Sequence, residues 1–367
     1  MFRKIRRGVS VSCEEIGGGG DGYGMRKSEI IDVALAADGG YFSGLFVTAC
    51  SIAKYADKAA SLRFNILDGG ISDKDWGLLL EKVRAIHQKS EFNRVLVNDE
   101  LFKDYPAWHG NKMAYARLML PDALPEVGWC VYCDVDFLWM KDIAELWKER
   151  DDRYAFLGTR DGAQWTLDCE KVWFEKNGYQ FDPETYFCSG LCFFNLKAFR
   201  EQGLVRKIEE ILKRHSDIQY PDQAALNIVT FGHTKIVSKC WQQFHQDIVP
   251  SMVDEGVVIH YAGAIPWKPI KTKIGLLSDL TLLWHRMNAE ARGITLWQSL
   301  RMYFSVWHIL WHRGLRNLLC FLNRVHCLGP LRWLLGKTGH EGVWEYWSRS
   351  MSKIDMKRSV LMNKIAM

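Results

Sequence analysis

Short apolar runs alternate with segments of helical periodicity along the first two thirds of the chain. Residues 30–36 form an apolar run that stops at a turn of Asp38, Gly39 and Gly40, and residues 41–55 then place apolar side chains at helical spacing. The same pattern predicts strands at residues 62–67, 93–97 and 129–133, with helices at 73–87 and 112–118. Strands that alternate with helices predict an α/β fold with a mostly parallel sheet.

The alternation continues and then stops, which divides the chain into three predicted segments. Further strands are predicted at residues 154–158, 191–195 and 257–261, and helices at 197–213 and 223–229. Residues 1–27 are basic and then glycine-rich, which predicts a flexible leader. Residues 28–267 form the predicted α/β domain, and residues 268–367 form a helical appendage rich in basic and aromatic side chains.

The composition is that of an ordinary globular protein. Hydrophobic residues make up 48% and charged residues 25% of the 367 positions, which argues against wholesale disorder and against a polytopic membrane protein. The ten cysteines are scattered through apolar runs, and the N-terminus shows no apolar signal segment. We therefore expect a cytoplasmic location.

The charge is divided unevenly along the chain. Residues 268–367 contain sixteen lysines and arginines against five acidic residues, together with seven of the sixteen tryptophans. Within residues 296–316, large apolar side chains recur on one helical face: Leu300, Phe304, Trp307 and Trp311. This pattern predicts an amphipathic helix that lies on an anionic membrane surface. The alternative is that the tryptophans pack against the α/β domain or a partner chain.

Two carboxylates follow the predicted strand at residues 129–133. Asp134 and Asp136 are separated by Val135, and in extended backbone residues i and i+2 point the same way, so both can reach one cation. Oxygen ligands favour Mg²⁺ or Mn²⁺, which leave positions for substrate phosphates. Alone, this tripeptide is more typical of a loop cap. His260, taken alone, is more typical of a buried core histidine.

Six segments occur in a fixed order: AADGGY at 36–41, YARL at 115–118, YCDVD at 132–136, YFCSG at 186–190, PDQ at 221–223 and HYAG at 260–263. Together they resemble glycosyltransferase family 8 over residues 31–267. The resemblance implies the GT-A type of nucleotide-sugar transferase fold, in which helices flank the central sheet. It also implies a retaining transfer from a UDP-sugar, with Mn²⁺ or Mg²⁺ as cofactor.

The resemblance further implies a role for each matching position. The metal ligands are Asp134, Asp136 and His260. The residues that contact the nucleotide sugar are Ala36, Asp38, Tyr41, Arg117, Asp134, Val135, Ser189, Gly263 and Lys268. Asp161 and Asp222 bind the donor sugar, and Gln223 lies near the anomeric carbon. Asp161 is equally typical of a solvated loop acid, and Asp222 of a cap at a helix start.

Three positions depart from the family pattern at the donor site. Gly40 and Cys188 stand where the family has asparagine, and the lysine that precedes Pro-Trp in the family is displaced to Lys268, after Trp267. These departures keep two alternatives open. One is a protein- or self-glycosylating enzyme of the glycogenin type, and the other is a sugar-nucleotide binder without activity.

The reaction implied by the resemblance is transfer of galactose or glucose from UDP-galactose or UDP-glucose to a bacterial surface glycan such as lipopolysaccharide core. A glycan or glycolipid acceptor anchored in the inner leaflet favours an enzyme bound peripherally to the inner face of the cell membrane. We expect an anionic membrane surface as a further partner and no nucleic acid, since no nucleic-acid-binding module is recognisable.

Overall fold

The computed structural model describes residues 11–13, 29–106, 112–263, 265–268, 279–307 and 309–310. The chain divides into two compact units. The first is Met1–Phe244 with Val257–Tyr261, and the second is His245–Gly256 with Ala262–Met367.

Strands and helices alternate along the first unit. The strands are β1 (Val11–Cys13), β2 (Ile30–Ala37), β3 (Ser61–Asp68), β4 (Ser90–Leu96), β5 (Trp129–Cys133), β6 (Phe137–Trp139), β7 (Phe156–Arg160), β8 (Phe187–Asn195), β9 (Thr234–Val237), β10 (Gln243–Phe244) and β11 (Val258–His260). The helices are α1 (Phe42–Tyr55), α2 (Asp73–Ile86), α3 (Leu120–Ala123), α4 (Ile143–Trp147), α5 (Gln164–Lys176), α6 (Leu196–Glu201), α7 (Leu204–Arg214) and α8 (Pro221–Val229). Short 3-10 helices include Gly39–Tyr41 and Met113–Met119.

Within the described residues, eight strands form one sheet in the order β1-β4-β3-β2-β5-β8-β7-β9. β2 pairs in parallel with β3 and β5, β3 with β4, and β7 with β9. β8 runs antiparallel to both β5 and β7, so β5 and β7 point the same way. The predicted α/β fold with a mostly parallel sheet is confirmed.

The central strands are apolar because they are buried on both faces. All five residues of β5 and all nine of β8 are buried. Strands covered on both sides read as continuous apolar runs, whereas half-exposed strands alternate. Because both strands are packed on every side, polar side chains at the ends of β5 and β8 are attached to a well-fixed backbone.

A second sheet consists of β10, β11 and β6, and it contains the predicted metal ligand His260 at the end of β11. β11 pairs with β6 so that His260 lies opposite Phe137. Because Phe137 directly follows Asp136, this pairing brings His260 to the acidic segment. The strand predicted at residues 257–261 is confirmed as β11, whereas β6 and β10 have no counterpart among the sequence predictions.

Two predicted helices differ from the structure. The single helix predicted at residues 197–213 is wrong, because Gly203, with a φ of 60°, separates α6 from α7. A left-handed residue interrupts the helical hydrogen bonds, and glycine adopts that conformation at little cost. The helix predicted at residues 112–118 is a 3-10 helix that continues into α3. α5 and β9 lie in segments without a predicted element.

The second unit contains α9 (Pro250–Glu255), α10 (Asp279–Arg292) and α11 (Leu296–Arg301). Trp284 on α10 is fully buried and stacks on Trp267, with ring centroids 5.3 Å apart. Next to it, the buried His285 has Nδ1 3.0 Å from Ser299 Oγ and Nε2 3.1 Å from the Pro266 carbonyl oxygen. No helix among the residues that the structure describes is long and apolar enough to cross a membrane.

The amphipathic helix predicted at residues 296–316 is wrong in its extent. α11 ends at Arg301, and the chain then turns so that Phe304 packs with Leu300 and Ile309. Trp307, predicted on the same apolar face, is 81% exposed. Residues 311–316 lie outside the described residues.

His285 is expected to make folding of the second unit dependent on pH. Burial lowers the pKa of His285 from 6.5 to about 4, against the opposing effect of its bond to the Pro266 carbonyl. As the pH falls below 6.5 the unfolded chain therefore binds the proton first, and stability is lost progressively towards pH 4, by about 3 kcal/mol in all. Denaturant unfolding at several pH values should show that His285→Gln flattens this decline. The exposed His233→Gln should leave it unchanged, and identical pH dependence in all three proteins would contradict the prediction.

Candidate active site

Three acidic side chains follow parallel strands at one edge of the main sheet. Asp38 follows β2, Asp134 follows β5 and Asp161 follows β7. β5 is parallel to β2, and β5 and β7 are both antiparallel to β8, so the carboxyl ends of these strands face the same way. Ligands of open α/β sheets bind beyond such an edge.

Asp134, Asp136 and His260 form a cluster that could hold a metal ion. One ligand atom of each lies within 4.8 Å of the others, and His260 Nε2 is 3.5 Å from Asp136 Oδ1. Among the described residues, the buried Asp136 Oδ1 has no hydrogen-bond partner. A cation at this point would satisfy that oxygen, and two carboxylates with one imidazole are ligands suited to a divalent ion such as Mn²⁺. The residues present therefore fit a metal.

Packing fixes the ring of His260. The imidazole stacks on Phe137 with ring centroids 4.2 Å apart, and Gln242 Nε2 lies 3.3 Å from its Nδ1. The Gln242 amide is held in turn, because its Oε1 accepts a hydrogen bond from Thr159 Oγ1 at 2.9 Å. Nε2 is therefore the ring nitrogen that faces Asp136.

Gly190 allows the imidazole to approach β8. A Cβ at this position would lie 2.7 Å from His260 Cε1 and 3.2 Å from Gln242 Nε2. Contacts this short force a neighbour to move in a close-packed interior, so packing requires the glycine of the YFCSG segment. The Gly190 carbonyl also accepts from the Asp134 backbone N–H at 2.8 Å. One residue of β8 thus touches both an aspartate and the histidine of the cluster.

Arg117, only 1% exposed, connects the metal-ligand cluster to a second polar group. Its Nη2 donates to Asp134 Oδ1 at 2.8 Å. Its Nη1 lies 3.3 Å from Asp222 Oδ2 and donates to the Ser189 carbonyl. The guanidinium also lies 4.4 Å from the centroid of the Tyr132 ring. These contacts make Arg117 a residue that positions two carboxylates through its planar fork of donors.

The surroundings of Asp134 disfavour the ionised form of its carboxyl group. Burial raises its pKa to about 6, an effect that Arg117 opposes and Asp136 reinforces. A divalent cation among these groups would reverse the balance, because it favours the ionised carboxylate. The electrostatics of the cluster therefore agree with a cation site.

Gln223, Asp222 and Asp161 lie around Ser189. The Ser189 N–H donates to Gln223 Oε1 at 2.9 Å, and Gln223 Nε2 donates to Asp161 Oδ2 at 3.0 Å. Ser189 Oγ donates to Asp222 Oδ2 at 3.0 Å. Both Asp222 and Gln223 belong to the first turn of α8, whose dipole favours a negative charge. The amide and both carboxylates are thus held in defined orientations.

Three predicted donor contacts lie at the ends of β2 and β5. Ala36 is buried near the end of β2, and the Asp38 side chain accepts from the Tyr41 backbone N–H at 3.0 Å. The Val135 carbonyl accepts from Thr48 Oγ1 at 2.9 Å, which anchors the metal-ligand segment to α1. These positions follow from the strand ends that the sequence predicts.

Gly263 and Lys268, the other predicted donor contacts, belong to the second unit. Gly263 has a φ of 73°, a conformation that favours glycine. The Lys268 backbone N–H donates to the Ile265 carbonyl at 3.1 Å. Their roles towards a donor stay predictions.

Several supporting side chains have no role in the sequence predictions: Tyr132, Thr159, Glu170, Tyr186 and Gln242. The sequence does contain a signal for Glu170. On α5 it stands at helical spacing from the buried residues Thr166, Leu167 and Phe174, so an acid occupies a position on the buried face of the helix. An acid within an apolar stripe points to a specific partner. Gln242 carries no such signal, because its partners are 18, 51 and 83 positions away in the chain.

Comparison with known proteins shows that the chain belongs to glycosyl transferase family 8, whose family model matches residues 32–271. General stress protein A of Bacillus subtilis (strain 168) is 26% identical over 230 residues, which cover 60% of this chain and 74% of that protein. The lipopolysaccharide 1,2-glucosyltransferase of Escherichia coli is 25% identical over 262 residues, covering 66% of this chain and 75% of that enzyme.

A solved structure supports the same assignment. The galactosyltransferase LgtC, in complex with donor and acceptor sugar analogues, is similar with a TM-score of 0.57 and 25% identity, covering 72% of this chain and 96% of that one. The resemblance stated from the sequence is confirmed, as is the GT-A type of fold. The protein is therefore a member of a glycosyltransferase family.

Removal of one ligand should weaken binding of a divalent cation. Asp136→Asn keeps the shape of the side chain but removes its charge, and we expect it to lower affinity for Mn²⁺ by at least about tenfold. Electron paramagnetic resonance of free Mn²⁺ during titration measures this directly. Asp168→Asn, at an exposed position on α5, is the matched control. Equal affinity in both variants and the wild-type protein would show that the cluster is not the cation site.

Proposed function

We propose that this protein is a metal-dependent retaining hexosyltransferase that moves galactose or glucose from a UDP-sugar to a bacterial surface glycan such as lipopolysaccharide core. The observation that carries the proposal is the convergence of Asp134, Asp136 and His260, with Gln223 held nearby through Ser189 and Arg117. A similar enzyme from Escherichia coli is a lipopolysaccharide glucosyltransferase, and LgtC is a galactosyltransferase. These names support the class of donor and acceptor.

The donor's diphosphate is proposed to lie against the metal-ligand cluster. Asp134, Asp136 and His260 would hold Mn²⁺, or Mg²⁺, and the bound cation would supply positive charge beside the departing diphosphate. Asp38 and Tyr41 are proposed to bind the uracil and ribose. The other proposed donor contacts are Ala36, Arg117, Val135, Ser189, Gly263 and Lys268.

The transferred sugar is proposed to lie against the amide of Gln223. An amide is a poor nucleophile, and the carboxylates of Asp161 and Asp222 are engaged by Gln223, Ser189 and Arg117. We therefore favour direct attack over a covalent intermediate. The acceptor oxygen bonds to the anomeric carbon on the face that UDP leaves, and its proton passes to the departing diphosphate. Asp161 and Asp222 bind hydroxyls of the sugar.

A donor panel tests the proposal. The purified protein, given Mn²⁺ and a truncated lipopolysaccharide core, is expected to release UDP from UDP-galactose or UDP-glucose and to lose this activity with EDTA. GDP-mannose serves as the control donor, and the glycan product is identified by mass. Binding of UDP without turnover of any donor would instead identify a sugar-nucleotide binder. A mass increase of the protein itself would identify self-glycosylation.

Residues 268–367 are proposed to attach the enzyme to the cytoplasmic face of an anionic membrane. The described part of this region exposes several large apolar side chains: Trp297, Met302, Val306, Trp307 and Leu310. Combined with the excess of basic residues in the same region, exposed tryptophans are suited to the interface of an anionic bilayer. An enzyme held there would meet an acceptor anchored in the inner leaflet.

Flotation with liposomes tests the membrane proposal on the full chain. The protein is expected to float with vesicles that contain phosphatidylglycerol, to float poorly with pure phosphatidylcholine, and to dissociate at high salt. The double substitution Trp297→Ser and Trp307→Ser should reduce the floating fraction at least about threefold. Trp165→Ser removes a tryptophan of the first unit that is 61% exposed and is the control. Equal flotation of the double variant and the control would overturn the proposal.

A further inference from the structure

Glu170 is a buried acid that the proposed reaction leaves without a role. It is 1% exposed and lies on α5 in the buried stripe of Thr166, Leu167 and Phe174. Among the described residues, no lysine, arginine or histidine forms an ion pair with it. Burial raises the pKa of Glu170 to about 7, opposed by its bond to Tyr186 and reinforced by Asp161. Burial of an apolar side chain at this position would cost less free energy than burial of a carboxyl group. The presence of an acid therefore suggests a specific role.

The partner of Glu170 leads to the candidate active site. Tyr186 donates its hydroxyl proton to Glu170 Oε2 at 2.9 Å. The same hydroxyl oxygen lies 3.3 Å from Gln223 Nε2, which also donates to Asp161 at 3.0 Å. A phenol has one proton. When the hydroxyl of Tyr186 donates that proton to Glu170, its oxygen can only accept a hydrogen bond from Gln223 Nε2.

This arrangement fixes which end of the Gln223 amide faces which neighbour. Its Oε1 receives the Ser189 backbone N–H, and its Nε2 faces two acceptors, the carboxylate of Asp161 and the hydroxyl of Tyr186. Without the acceptor at Glu170, the Tyr186 proton is free to turn towards Nε2, where donor would meet donor. The amide would then lose one of its three anchors.

We propose that Glu170 is a positioning residue that orients the Tyr186 hydroxyl and thereby holds the amide of Gln223 in place for glycosyl transfer. The inference rests on the proposed function and extends it, because it assigns a task to a residue that does not touch the donor. Glu170 acts through Tyr186 and Gln223 only. Its loss should therefore affect the rate of transfer more than binding of the nucleotide.

Two substitutions separate the hydrogen bond from packing. Glu170→Met is similar in volume and lacks the acceptor, and it is expected to lower kcat by about tenfold with the KM for the donor unchanged. Glu170→Gln keeps an oxygen that accepts from Tyr186 and should remain close to the wild-type rate. Neither should lower the melting temperature, because both remove a buried acid. Glu175→Met, on the exposed side of α5, is the control and should not change kcat.

A double-mutant cycle tests whether Glu170 acts through Tyr186. Tyr186→Phe alone should lower kcat, and adding Glu170→Met should lower it little further, since both remove the same link. Multiplicative losses, wild-type turnover of Glu170→Met, or equal impairment of Glu170→Gln and Glu170→Met would each overturn the proposal.

A measurement without turnover separates this proposal from the proposed function. In protein labelled with ¹⁵N-glutamine, the side-chain resonance of Gln223 is assigned by its loss in Gln223→Glu. Its amide protons should exchange slowly with solvent in the wild-type protein and in Glu170→Gln, and faster in Glu170→Met. Unchanged exchange in Glu170→Met would contradict the positioning role. Absence of turnover in the wild-type protein would count against the proposed function alone.

Discussion

The buried guanidinium of Arg117 is the interaction on which the candidate site depends. It contacts Asp134 from the metal-ligand cluster, Asp222 from the start of α8 and the Ser189 carbonyl of β8. Without the guanidinium between them, the two carboxylates would repel each other. Loss of one partner of a buried charge pair costs about 3–5 kcal/mol. A lysine offers a single ammonium and cannot present donors to these acceptors with the same planar geometry.

Close packing at β8 is the second constraint, because it sets the distance between the two sheets at the metal-ligand cluster. The Gly190 backbone lies against the imidazole of His260, and there is no room for a Cβ. The pairing of β11 with β6 fixes His260 from the other side. The ion pair of Arg117 therefore positions an aspartate of the cluster, and the absence of a side chain at Gly190 leaves room for its histidine. Neither alone would bring an imidazole and two carboxylates to one point.

Much of the fold could be predicted from local patterns, and the meeting of distant residues could not. The apolar runs identify β2, β5 and β11, and the acids at 134 and 136 stand where a strand end places them. The break between α6 and α7 depends on the positive φ angle of Gly203, and the spacing of apolar residues along the sequence does not reveal a single dihedral angle. Arg117 is predicted to contact the donor, and this stays a prediction; the structure adds that its guanidinium, 1% exposed, pairs with two carboxylates. Its partners come from three different elements, so only tertiary structure reveals them.

Three acids of the site are held where burial opposes their charge. Burial raises the pKa of Asp134 to about 6 and that of Glu170 to about 7, and it also raises the pKa of Asp161. Each therefore lowers the free energy of unfolding at neutral pH relative to an exposed acid. The apolar strands β5 and β8 compensate, since every residue of both is buried. A cation that compensates the charge of Asp134 would recover the free energy that folding lost by burying this carboxylate, so the same acid that weakens the fold favours capture of a cation.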